Sequence, residues 1–198
     1  MIHAPWLRVV EGSLMSTTSQ RVCLPNLRQV NGHVDFMQTF DLRVPRLNHV
    51  GGQVKVMGCI PPLLKTVGKS LGVFWCFRAE SDRLKCVGGN LFMTKAETVN
   101  LSVLETIGGS FLLNLKTQVI QTPRLQSVGG DFLVESAHIL HARALKHVGG
   151  NLDSSSAKGF YHPRINVEGA WAICPGDAED WWRRDAARKA MKSKPILL

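Results

Sequence analysis

Residues 125–134 read Leu-Gln-Ser-Val-Gly-Gly-Asp-Phe-Leu-Val, and the frame they contain, Leu-x-x-Val-x-Gly-x-Leu-x-Val, recurs along almost the whole chain. It returns from Leu27, Leu47, Leu64, Leu84, Leu104 and Leu145, with Lys69 replacing the second glycine in the copy that starts at Leu64. Degenerate copies begin at Leu7 and at Ile165, the second one residue short. The branched residue of the frame stands at positions 10, 30, 50, 67, 87, 107, 128, 148 and 167, so successive copies are 20, 20, 17, 20, 20, 21, 20 and 19 residues apart. Pro5, Pro25, Pro45, Pro62, Pro123 and Pro163 keep the same register, each two residues before the apolar residue that opens a copy. Proline there fixes φ and removes a donor, which ends a strand and starts a turn.

Twenty residues cannot bury their own apolar face; stacked copies can do so jointly. The stretch after the second glycine, as in Gly109–Leu113, alternates like a strand, and a second β-rich stretch precedes the proline, as in Phe40–Val44, Thr98–Leu101 and Val119–Thr122. The Leu-x-x-Val link, with its spacing of three, suits a tight helical turn, and the glycine pair offers a reversal through positive φ. The expected fold is mainly β: a right-handed repeat solenoid, leucine-rich-repeat or β-helix-like, of about nine coils of ~20 residues. With strands ~4.8 Å apart the rod would be roughly 40 Å long. It would occupy residues 1–174, with residues 175–198 forming a C-terminal helical cap and tail. After Pro175-Gly176, Asp177 is a fit N-cap for a helix to Lys192, Glu179 and Asp180 suit its start, and Arg188, Lys189 and Lys192 suit its end. Trp182, Ala186 and Ala190 share one face, which either covers the last coil or binds a partner.

These repeats resemble the leucine-rich-repeat group, and within it the receptor-L-type repeats and the short Val-Gly-Gly arrays of bacterial and phage proteins. The resemblance spans about residues 5–173, without the usual asparagine ladder and without a helical half-repeat. It implies binding of another macromolecule rather than catalysis, for instance as an inhibitor or adaptor of a host complex.

Composition agrees with a globular chain: 44% hydrophobic, 20% charged, mean hydropathy near zero, and no apolar run long enough for a membrane span. Arg8 and Glu11 interrupt what would be the core of a secretion signal, so a cytoplasmic protein is expected, with five reduced cysteines (Cys23, Cys59, Cys76, Cys86, Cys174). A net charge of +9 favours an acidic partner.

In a solenoid, equivalent positions form surface columns. The outward strand position reads Met15, Asp35, Lys55, Gly72, Phe92, Leu112, Leu133, Asp153, Ala172, and the next outward column holds Met37, Met57 and Phe74. Together Met37, Met57, Phe74, Phe92, Leu112 and Leu133 make a diagonal apolar stripe, the candidate docking face for a protein partner or a second copy. The ordinary alternative is a stripe covered by the chain's own segments. A basic ridge flanks the repeat leucine: Arg8, Arg28, Arg46, Lys65, Arg83, Lys85, Arg124, Lys146 and Arg164. It could draw phosphates or an acidic protein, or serve only solubility; no aromatic interleaves it for base stacking. No enzyme, metal or cofactor is expected. His138 and His141 lack further ligands, Asp131 and Glu135 lack a complementary acid–base partner, and Ser154–Ser156 read as a loop. Val67-Gly68-Lys69-Ser70 imitates only the end of a phosphate-binding loop.

Overall fold

The computed structural model describes residues 1–18, 20–113, 117–134, 137–157, 160 and 165–173. The expected helix of residues 177–192, Cys174, Pro163 and Arg164 lie outside the described residues. Within them the chain is a parallel β-solenoid of about eight turns, with no helix.

Each coil has three sides. One side is a nine-stranded sheet of two-residue strands running from Val9–Val10 to Asn166–Val167. In it the repeat's branched residues stand directly opposite one another, Val10 to Val30, Val30 to Val50 and so on to Val148 with Val167. The second side is also nine-stranded, from Leu14–Met15 to Trp171–Ile173. The third is split, with Ile2–His3, Arg21–Cys23 and Asp41–Arg43 in one piece and Arg78–Ser81, Thr98–Leu101, Val119–Gln121 and Ile139–His141 in the other. The break falls in the 17-residue coil. Its missing residues leave Cys59-Ile60-Pro61 to cut the corner, and Leu42, on the strand facing the gap, is only half-buried.

The two strands expected per coil are the second and third sides. The first side corrects the reading of Leu-x-x-Val as a helical turn. That segment is extended because the neighbouring coil supplies its hydrogen bonds: Arg28 N–H donates to the Arg8 carbonyl (2.8 Å) and Asn31 N–H to the Val10 carbonyl (2.8 Å). The turn lies just before it. Leu27 N–H donates to the Leu24 carbonyl (3.2 Å), Leu47 to Val44 (3.1 Å) and Leu125 to Thr122 (3.1 Å), placing Pro25, Pro45 and Pro123 at the second position of a β-turn, where a fixed φ costs nothing.

The glycine pairs serve close approach instead of a left-handed reversal. Among the described residues the only glycine with positive φ is Gly58 (φ 89°), outside the pairs. A Cβ on Gly108 would penetrate the Gly88 carbonyl oxygen of the coil below, and the same collision recurs for Gly88 on Gly68 and Gly129 on Gly108. The second glycine makes room for a side chain: a Cβ on Gly109 would overlap the Asn90 carboxamide oxygen. That oxygen belongs to a polar ladder. Ser70 Oγ accepts from Asn90 N–H (3.0 Å), Asn90 Oδ1 from Ser110 N–H (2.8 Å), Ser110 Oγ from Asp131 N–H (3.0 Å), Asp131 Oδ1 from Asn151 N–H (2.7 Å) and Asn151 Oδ1 from Ala170 N–H (2.9 Å). The sequence reading found no asparagine ladder because this column mixes Ser, Asn and Asp and lies before the strand.

The interior is one continuous apolar column, with Leu27, Leu47, Leu64, Leu84, Leu104 and Leu125 fully buried. Each such leucine contributes roughly 2 kcal/mol by removal from water. Phe111 and Phe132 stack inside at 5.4 Å between ring centroids.

Candidate docking face

The second sheet carries the site, because its strands hold their outward side chains in one column. Asp35 faces Lys55, Lys55 faces Gly72, Gly72 faces Phe92, Phe92 faces Leu112, Leu112 faces Leu133 and Leu133 faces Asp153. Met57 stands opposite Phe74 in the next outward column, and Met37 follows the strand Val34–Phe36, its N–H bonded to Asp35 Oδ1 at 3.1 Å. All six stripe residues are half-buried, whereas their inward neighbours Val73, Met93, Phe111 and Phe132 are wholly enclosed. Half-burial has a local cause: parallel strands about 4.8 Å apart make stacked side chains shade one another. Phe74 also leans over the column, since a Cβ on Gly72 would meet Phe74 Cε2 at 2.7 Å, and its ring meets Phe92 edge-on at 5.6 Å. The apolar stretch is thus continuous from Phe74 through Phe92 and Leu112 to Leu133, bounded by Lys55 at one end and Asp153 at the other.

The most exposed aromatics near it went unread in the sequence. Trp75, 56% exposed, takes positive φ (56°) at the corner beside Phe74, and Lys95 repeats that conformation one coil on (φ 59°). Lys95 Nζ sits 3.1 Å from the Trp75 ring centre, a cation–π contact on the rim of the face. Phe40 and Phe77, 77% and 60% exposed, precede the two third-side strands that flank the short coil. The signal for Trp75 and Phe77 was the run Phe74-Trp-Cys-Phe77, with too many aromatics for one inward face. Beside the break an open groove of about 310 Å³ is lined by Ile60, Pro62, Glu80, Ser81, Asp82, Asn100 and Ser102.

The basic ridge resolves into two columns. One follows the leucine and reads Arg8, Arg28, Asn48, Lys65, Lys85, Glu105, Gln126, Lys146, each linked to the next through the backbone. The other precedes it and contains Arg46, Arg83 and Arg124, with Arg46 donating to Asn26 Oδ1 at 2.8 Å. The described ridge residues are all exposed, but neither column is an unbroken run of charge.

Candidate chemistry stays dispersed. His138 and His141 are exposed on the third side, and among the described residues no cluster of His, Cys, Asp or Glu could hold a metal ion. Asp131 serves the polar ladder, Glu135 lies outside the described residues, and Ser154 is a buried strand residue while Ser155 and Ser156 form an exposed turn. Lys69 is exposed in the glycine corner. Cys23, Cys59, Cys76 and Cys86 are free thiols.

Burial raises the Cys76 thiol to about 11 from its ordinary 9.0, with smaller upward pushes from Cys59 and Glu80 against a downward one from the Arg78 backbone. The unfolded chain releases this proton first, so the thiol's contribution is full below pH 9 and is lost as the pH rises through 11. The urea midpoint should therefore fall over that window, and Cys76→Ala should flatten this part of the fall.

Compared with known protein families, curated proteins and solved structures, the chain matches none. Among the described residues no helix is long and apolar enough to cross a membrane.

Proposed function

We propose that this protein is a non-enzymatic binding module that docks a macromolecular partner on the second sheet of a rigid solenoid. The observation that carries the reading is the continuous half-buried apolar track Phe74–Phe92–Leu112–Leu133, with Met37 and Met57 beside it and Trp75 on its rim. A sheet held from both sides by its own coils changes shape little on binding, so association loses little to ordering. Aromatic and Met side chains at the centre of a face are the usual anchors of such contacts. The Leu-x-x-Val-x-Gly frame supports kinship with the leucine-rich-repeat-like arrays of bacterial and phage proteins, and with it the narrower role of an inhibitor or adaptor that blocks a host complex.

A nucleic-acid or ribonucleoprotein ligand on the basic ridge is the second reading, favoured by the exposure of every described ridge residue. Affinity capture from the protein's own cells, at two salt concentrations with and without nuclease, separates the two. The docking reading expects capture that survives nuclease and is lost in Leu112→Asp. The ridge reading expects capture that collapses with salt and with changes at Arg28, Arg46, Lys65 and Arg83.

A further inference from the structure

We infer that the partner seated on this face is a second copy of the same chain, packed antiparallel about a two-fold axis that runs along the strands between Phe92 and Leu112. The inference rests on the docking reading and names its occupant. The argument is the order of residues in the outward column: Asp35, Lys55, Gly72, Phe92, Leu112, Leu133, Asp153, Ala172. An isologous interface must satisfy itself when this order is reversed. With the axis between the fifth and sixth rungs of the nine, Phe92 meets Leu112 of the second copy, and the Phe74 ring that leans over Gly72 meets its Leu133. Lys55 then meets Asp153, and symmetry repeats every contact. Moving the axis one half-rung toward Lys55 sets Asp35 against Asp153, and moving it two half-rungs toward Asp153 buries that carboxylate against Phe92. Moving it a single half-rung toward Asp153 keeps most of the apolar contacts but leaves both Lys55 and Asp153 without a countercharge.

Among the described residues Lys55 has only a loose ion-pair partner, Asp35 at 4.0 Å, and both are partly exposed. Asp153 accepts a hydrogen bond from Ser155 N–H (3.0 Å) and makes no ion pair among the described residues. Both groups are therefore able to turn toward a facing copy.

The face is about 38 Å long and 10 Å wide from strand spacing and length, roughly 400 Å² a side before surface relief. Both sides together come to roughly 800 Å², below the range of stable complexes, so the dimer should be a weak and transient one.

Sedimentation of the purified full chain from about 1 to 300 µM tests this. The weight-average mass should climb toward twice the chain mass, and Leu112→Asp should move that climb at least about 30-fold to higher concentration. Lys55→Glu and Asp153→Lys should each weaken association about tenfold, and the double variant should return to within about threefold of the original. A chain that stays monomeric throughout, dimers indifferent to Leu112→Asp, or a double variant no better than the singles would overturn the inference. Monomeric protein whose cellular capture is still abolished by Leu112→Asp defeats self-association alone; capture indifferent to that change defeats the docking face itself.

Discussion

Alanine at Gly108 should lower stability by about 3 kcal/mol, the upper range of overpacking, because the obstacle is backbone. The added methyl would lie inside the Gly88 carbonyl oxygen, and Gly108 in turn carries Gly129 above it. The hydrogen bonds that fix the spacing bracket the clash: Gly108 N–H to the Val87 carbonyl at 2.8 Å and Gly129 N–H to the Ile107 carbonyl at 2.9 Å. Relief would mean opening a rung of the stack. Gly12 supplies the control, since a Cβ there meets nothing within 4 Å. Gly12→Ala should change stability by less than about 0.5 kcal/mol. Urea midpoints of the two variants measure the contrast, and equal effects would mean that the coils are not stacked as described.

The second large effect separates two adjacent residues. Phe111 is fully buried and packs against Phe132 on the neighbouring strand of the same sheet, whereas Leu112 points outward between Phe92 and Leu133. Phe111→Asp buries a carboxylate with no partner and removes a ring from the stack, a combined cost comparable to the whole stability of a domain, and should leave no cooperative unfolding transition. Leu112→Asp sits at a half-exposed position and should cost about 1 kcal/mol or less in folding. Its effect belongs to binding: a charge in the centre of an apolar track should weaken docking by about 30-fold or more, the range of hot-spot substitutions. Circular dichroism melts and a binding titration on the same two proteins read both outcomes.

The stacking frame was legible because one apolar position per coil, Leu27 or Leu84 for instance, is wholly enclosed and tolerates only a few residue types. The outward column was legible for the same reason: once the period is known, alternation along a strand sets which side chains leave the core. The first sheet was not, since a two-residue strand has no alternation to detect and its hydrogen bonds come from residues some twenty positions away. The purpose of the glycines was misread because close backbone approach and positive φ select the same residue; only coordinates distinguish Gly108, lying on a carbonyl, from Gly58, at φ 89°. The polar ladder was hidden by its chemistry, since Ser70, Asn90, Ser110 and Asp131 all offer one acceptor oxygen to the next rung and sequence reading treats them as different residues. The ridge looked continuous because counting a charge on either side of the leucine merges two separate columns.

A photo-activated cross-linking residue placed at Leu112, compared with the same residue at Asn100 on the third side, tests the docking face most directly. Asn100 is exposed, stands on the strand Thr98–Leu101 and shares the same few coils, so stability and labelling chemistry are matched. The account predicts a defined adduct from position 112, of twice the chain mass if the occupant is a second copy, and none from position 100. Adducts from position 100 alone, or equally from both, would contradict it.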